Sequence, residues 1–165
     1  MIHVFGETHS DVSDIQFINS ALLQLSPKVL LHELLYTDRC DTVAAIDRRL
    51  RSCRTGELCD PGLNKDIYLL GKSLGCKLIG IDLEFTSLDL TVREQFRIRE
   101  AHMLTTILKA LDEFRGVTMA IVLGDAHLRS VKTTELGPPS PIALMLGKNP
   151  DVTIIRSRSK KAEIN

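Results

Sequence analysis

Short apolar runs alternate with amphipathic stretches along most of the chain. The runs at residues 2–5, 28–33, 77–83 and 117–123 are short and rich in β-branched side chains, which is typical of buried strands. The stretches between them are long enough for helical, right-handed crossover connections. This pattern predicts an α/β fold with a mainly parallel central sheet flanked by helices. A further run at residues 152–155 is predicted to be a strand at the sheet edge.

Sequence signals at the helix starts refine this prediction. Residues 10–13 offer caps for the first helix, and Ser13 with Gln16 is one possible capping box. The longest helix is expected over about residues 89–115, with a second capping box formed by Thr91 and Glu94.

The longest helix carries two charged residues where apolar ones are expected. Its apolar stripe consists of Val92, Phe96, Met103, Ile107, Leu111 and Phe114. At 3.6 residues per turn, Glu100 lies inside this stripe and Arg99 lies at its edge. Buried charges are costly unless they are paired. Either the two pair with each other and a neighbour, or this end of the helix lines a polar cleft.

Composition and charge narrow the class of protein. The 165 residues are predicted to form one domain, with an irregular excursion at residues 36–62 and a polar tail at residues 156–165. Lys plus Arg and Asp plus Glu both number 21, so net charge favours neither nucleic acid nor a membrane surface as a partner. No signal peptide is recognised, and the four Cys lack C-x-x-C spacing, which predicts reduced thiols in a cytoplasmic protein.

One pattern occurs twice, each time at the end of a predicted strand. Gly-Glu-Thr-His ends at His9, and Gly-Asp-Ala-His ends at His127. The glycine is expected to let the backbone turn sharply after the strand. In a parallel sheet both loops would lie at the carboxyl ends of the strands, where ligands bind. The repeat therefore predicts that the two His face one cleft; the alternative is that each only caps a local turn.

Two further predicted strands also end in acids, at Glu33 and at Asp82. The candidate residues of the cleft are accordingly His9, His127, Glu7, Glu33, Asp82 and Asp125. Imidazole and carboxylate suit Zn²⁺, Mn²⁺, Co²⁺ or Fe²⁺. His9, Glu33 and His127 are the predicted metal ligands, with Glu7 or Glu33 as general base toward a metal-bound water.

The same residues also allow catalysis without metal. His9 would then act as general base beside a carboxylate, and Arg99 would stabilise an oxyanion. The G-x-S-x-G match at residues 71–75 closes a predicted helix and does not follow a strand, so a serine nucleophile elbow is not indicated. The sequence has no G-x-G-x-x-G and no P-loop, which argues against nucleotide binding by those devices.

The order of these motifs resembles the superfamily that includes the erythromycin esterase-like, ChaN-like, TraB and TIKI proteins. Residues 6–9 resemble its opening G-E-x-H, Glu33 its strand-end glutamate, and residues 124–127 its closing G-x-x-H. Residues 99–103 (REAHM) resemble the R-N-x-x-M helix motif of the TraB and TIKI branch, although Glu100 replaces the Asn.

The resemblance implies an α/β sheet with a polar cleft, and it implies several activities. TIKI proteins are metal-dependent proteases, erythromycin esterases hydrolyse a lactone, and ChaN-like proteins bind haem. The resulting expectation is a metal-dependent hydrolase of a peptide, ester or related bond, acting on a small-molecule or peptide substrate. The alternatives are a metal-independent esterase with His9 as base, a non-enzymatic protein that binds haem or another ligand, and a toxin-like domain that has lost activity.

Overall fold

The computed structural model describes residues 1–8, 11–36, 61–83, 90–134 and 136–156, with side chains of residues 34–36 and 61–65 left aside. Within these residues the strands are β1 (Ile2–Glu7), β2 (Val29–Tyr36), β3 (Lys77–Asp82), β4 (Met119–Gly124) and β5 (Val152–Arg156). The helices are α1 (Val12–Leu25), α2 (Pro61–Ser73), α3 (Val92–Glu113) and α4 (Pro141–Leu146), and a 3-10 turn spans Asp125–Leu128.

The strands form one parallel sheet in the order β3-β2-β4-β1-β5. β1 pairs in parallel with β4 and β5, and β2 pairs in parallel with β3 and β4. The predicted α/β class with a mainly parallel sheet is therefore confirmed. The carboxyl ends of β1, β2, β3 and β4 meet at one edge of the sheet, because parallel strands all point the same way.

Helices cover both faces of the sheet. α1 and α2 pack on the face that carries Phe5 and Leu30, whereas α3 and α4 pack on the face that carries Val4 and Leu31. Consecutive strand residues point to opposite faces, so each strand contributes to both cores. The helices α1 and α2 that follow β1 and β2 in the described chain thus lie on one face, and the helices α3 and α4 that follow β3 and β4 lie on the other.

The helix starts agree with one capping prediction and contradict the other. The N-cap of α3 is Thr91, and its side chain and that of Glu94 form the predicted capping box. The N-cap of α1 is Asp11, whose carboxylate accepts from the Ser13 backbone N–H at 2.9 Å. The possible Ser13–Gln16 capping box was therefore wrong, although the observed cap lies within the predicted range 10–13. Both residues are competent caps, and Asp11 is the one with extended backbone at the turn that follows β1.

Further sequence predictions concern the burial of Val92, the state of the cysteines and the residues around His9. Val92, predicted in the buried stripe of α3, is 75% exposed because it opens the first turn, beyond the edge of the core. Among the cysteines, Cys76 falls in the described part of the chain and is a free thiol. Within the same ranges no helix is long and apolar enough to cross a membrane. His9 and most of the 36–62 excursion lie outside the described residues.

Candidate functional site

The first half of α3 lies over the carboxyl ends of β2 and β3 and brings a guanidinium to them. Arg99 donates through Nε and Nη2 to the two carboxylate oxygens of Asp82, both at 2.9 Å. Its Nη2 also lies 3.1 Å from Glu33 Oε1. The side chains of Asp82 and Glu33 are 0% and 2% exposed, whereas that of Arg99 is 28% exposed. Arg99 is thus the part of this ion network that reaches solvent.

His127 lies between two buried carboxylates. Its Nε2 is 3.2 Å from Glu33 Oε1, and its Nδ1 is 3.3 Å from Glu100 Oε1. Burial alone would lower the pKa of this imidazole. The charge of Glu33 and the hydrogen bonds to Glu100 and Glu33 outweigh that cost and raise the pKa of His127 to about 9. The ring is therefore an imidazolium at neutral pH.

Each oxygen of Glu33 has its own donors. Oε2 accepts the backbone N–H of Gly124 at 2.6 Å, beyond the point where the paired positions of β2 and β4 end at His32 and Val122. Oε1 faces both Arg99 and His127. The carboxylate thereby joins β2, β4 and α3 at the sheet edge. We refer to Glu33, Asp82, Arg99, Glu100 and His127 together as the His127 centre.

An aromatic ring covers one face of the imidazole. Phe96 and His127 stack with their ring centroids 4.5 Å apart and their planes 2° from parallel. The guanidinium carbon of Arg129 lies 5.3 Å from the Phe96 centroid. Neither role was foreseen from the sequence, where Phe96 was read as core. Its position one helical turn before Glu100 was the available signal, because residues four apart share a helix face.

The two repeated motifs meet through their glycines and acids. A Cβ built on Gly6 would lie 2.2 Å from Asp125 Oδ1. Gly6 is a strand residue, paired with Leu123, and Gly124 is also the last residue of its strand. The expectation that the glycine turns the chain after the strand was therefore wrong for Gly6, whereas Gly124 directly precedes the 3-10 turn. Gly6 is needed because the Asp125 carboxylate fills the space of its side chain.

Not every predicted site residue joins the His127 centre. Glu33, Arg99 and His127 are brought together, whereas Glu7 shares a strand face with Phe5, on the side covered by α1. Glu7 is buried there, as is Asp14, which accepts from the Thr8 backbone N–H at 2.9 Å. The position of His9 relative to His127 lies outside the described residues.

The predicted metal site depends on His9, which lies outside the described residues, so it stays a prediction. In the described ranges no group of three or more His, Cys, Asp or Glu is arranged to hold a metal ion. Glu33 and His127 instead contact each other directly.

Comparison with known proteins gives structural neighbours. No family model and no curated protein matches the sequence. Solved structures described as bacterial protein toxins match 96% and 94% of the chain, at TM-scores of 0.59 and 0.55 and identities of 22% and 24%. RRSP, a MARTX toxin effector domain from Vibrio vulnificus, matches 94% at a TM-score of 0.54 and 24% identity. The type III effector HopBA1 matches 93% at 0.53 and 15% identity.

The shared region is a fraction of most of these proteins. The chain spans about a third of the first toxin chains, 34% and 33%, and 75% of HopBA1. At these identities the likeness establishes a common fold.

These neighbours overturn the expected family. Placement among the erythromycin esterase-like, ChaN-like, TraB and TIKI proteins was wrong, since the structural neighbours are toxins and effectors. The expected metal-dependent hydrolase, its esterase variant and the haem-binding alternative are corrected with it. The motifs indicated the wrong family because packing and hydrogen bonding at this sheet edge require the same residue types. Gly6 makes room for Asp125, and Glu33 accepts from the Gly124 N–H, whichever reaction takes place there.

Proposed function

We propose that this chain is an effector domain of the bacterial-toxin kind, and that the His127 centre is its reactive centre. The proposal is supported by one observation above all. An imidazolium is held between two buried carboxylates at the carboxyl edge of the sheet, in a fold shared with toxin and effector chains. Perturbed titratable groups of this kind cluster at functional sites.

The chemistry that suits this centre is proton transfer to a bound target. The Glu33 carboxylate and the His127 imidazolium form a proton-sharing pair at 3.2 Å, and Glu100 fixes the other ring nitrogen. Arg99 is the partly exposed member, so it is the group that a target would meet first. Its guanidinium suits a carbonyl or an anionic oxygen of the target, because it presents several N–H donors in one plane.

The alternative is that the buried ion network only stabilises the fold. Buried ion pairs add little net stability, since desolvation offsets most of their attraction. Three carboxylates and two cations placed at a ligand-binding edge are therefore a costly way to fill a core. A working site explains their presence better.

The test is a growth assay with inducible expression of the chain in bacterial and in eukaryotic host cells. Wild type should slow growth in at least one host. Arg99→Lys, which keeps the charge but loses the two-pronged contact with Asp82, should lessen the effect about tenfold or more in viable counts. Arg115→Lys is the matched control just past the end of the same helix, because Arg115 is 82% exposed and pairs with Asp112.

Melting temperatures of the purified variants show whether each is folded. If expression of the wild-type chain leaves the growth of both kinds of host unchanged, the effector proposal is refuted. If Arg99→Lys is folded and slows growth as much as wild type does, the assignment of this effect to the His127 centre is refuted.

A further inference from the structure

The His127 ring is held at its edge by two contacts that leave one motion open. Nε2 faces Glu33 and Nδ1 faces Glu100, at 3.2 and 3.3 Å. With both nitrogens engaged, the motion left to the ring is rocking about its Cβ–Cγ bond. Such rocking changes the angle of both N–H groups, and hydrogen bonds weaken steeply as they bend.

Phe96 lies where it would stop this motion. Its ring is 2° from parallel to the imidazole, at a centroid distance of 4.5 Å. Any tilt of His127 toward Phe96 would bring the rings into contact along one edge. The negative face of the phenyl ring also attracts an imidazolium, so the stacked arrangement is favourable as well as obstructive.

The Phe96 ring is itself fixed. Arg129 lies over it with its guanidinium carbon 5.3 Å from the centroid. Arg129 in turn donates from Nη1 to the carbonyl oxygen of Pro138 at 2.7 Å, which anchors it to the loop that leads into α4. Phe96 is 9% exposed, so it also shields the imidazole from water.

We infer that Phe96 is a positioning residue for His127, which keeps the imidazolium in the plane shared by Glu33 and Glu100. Its part in function rests on the proposed reactive centre, but the positioning itself does not. A residue that merely filled the core could be replaced by leucine with little consequence, because leucine is apolar and of similar bulk. A positioning residue requires a flat ring.

The experiment follows the His127 ring N–H protons of the purified chain by ¹⁵N-edited NMR. Loss of stacking should speed their exchange with solvent roughly two- to tenfold, the factor that corresponds to an aromatic pair. Phe96→Leu should show this acceleration and lose the ring-current shift of the imidazole. Phe96→Tyr, which keeps the flat ring, should behave like wild type.

Phe17→Leu is the matched control, because Phe17 is 41% exposed on α1, far from His127 in the chain. It should leave the His127 signals unchanged. The inference would be overturned if the His127 ring N–H protons of Phe96→Leu exchanged at the wild-type rate. It would also be overturned if they exchanged as fast in Phe96→Tyr as in Phe96→Leu. The measurement needs no toxicity, so failure of the effector proposal would appear in the growth assay alone.

Discussion

At the scale of single residues, His127 links the candidate site to protein stability. Its pKa is raised from 6.5 to about 9 in the folded protein, because Glu33 and Glu100 outweigh the effect of burial. The folded state therefore holds the proton more tightly than the unfolded state does. The resulting stability is fully present below pH 6.5 and is lost as pH rises toward 9.

We expect urea unfolding to show a loss on the order of 3 kcal/mol between these two pH values. Glu100→Gln should flatten the dependence, since it removes a charge that favours the imidazolium. Cys76, whose thiol pKa is raised chiefly by burial, can contribute only at still higher pH, and Cys76→Ala controls for it. Stability that stays level or increases over the window would contradict the protonation state assigned to His127.

At the scale of elements, the start of α3 determines where Phe96, Arg99 and Glu100 lie. The Thr91 side chain accepts from the Glu94 backbone, and the Glu94 side chain accepts from the Thr91 N–H at 2.9 Å. Thr91→Ala should reduce the free energy of unfolding by about 1 kcal/mol, because it leaves the Glu94 backbone N–H without its side-chain acceptor. Thermal or urea unfolding measures the loss. Thr105→Ala is the control, because Thr105 is an exposed residue in the middle of the same helix. Equal losses from the two substitutions would contradict the capping prediction.

This capping box was predictable because its two residues are three apart in the chain. The charges inside the apolar stripe of α3 were visible for the same reason, since helical spacing alone placed Glu100 among buried positions. Their partners were not predictable. Arg99 meets Asp82 and Glu33 from 17 and 66 residues away, and no local pattern encodes such a contact.

At the scale of the whole molecule, the parallel direction of the strands followed from the alternation of strand and helix. The insertion of β4 between β1 and β2 did not, because any order that keeps the crossovers right-handed satisfies the same periodicity. That insertion brings the two repeated motifs side by side. It also makes β4 the central strand.

Native-state hydrogen exchange should reveal this arrangement. Amides of β4, which has a strand on each side, should exchange most slowly. Those of β5, an edge strand where Ile154 is 38% exposed, should exchange much faster. β1 serves as an internal reference, since it pairs on both sides with β4 and β5. Protection of β5 equal to that of β4 would contradict the strand order.

Few other residues can replace Glu33, because both of its carboxylate oxygens accept hydrogen bonds. One accepts from the Gly124 N–H, and the other faces donors on Arg99 and His127, so both sides of the group must accept. Glutamine, usually the mildest replacement for glutamate, would turn an amide NH₂ toward one of those donors. Aspartate is one methylene shorter and cannot span the same gap. In a library that carries every amino acid at position 33, selection for folded protein should return glutamate almost alone.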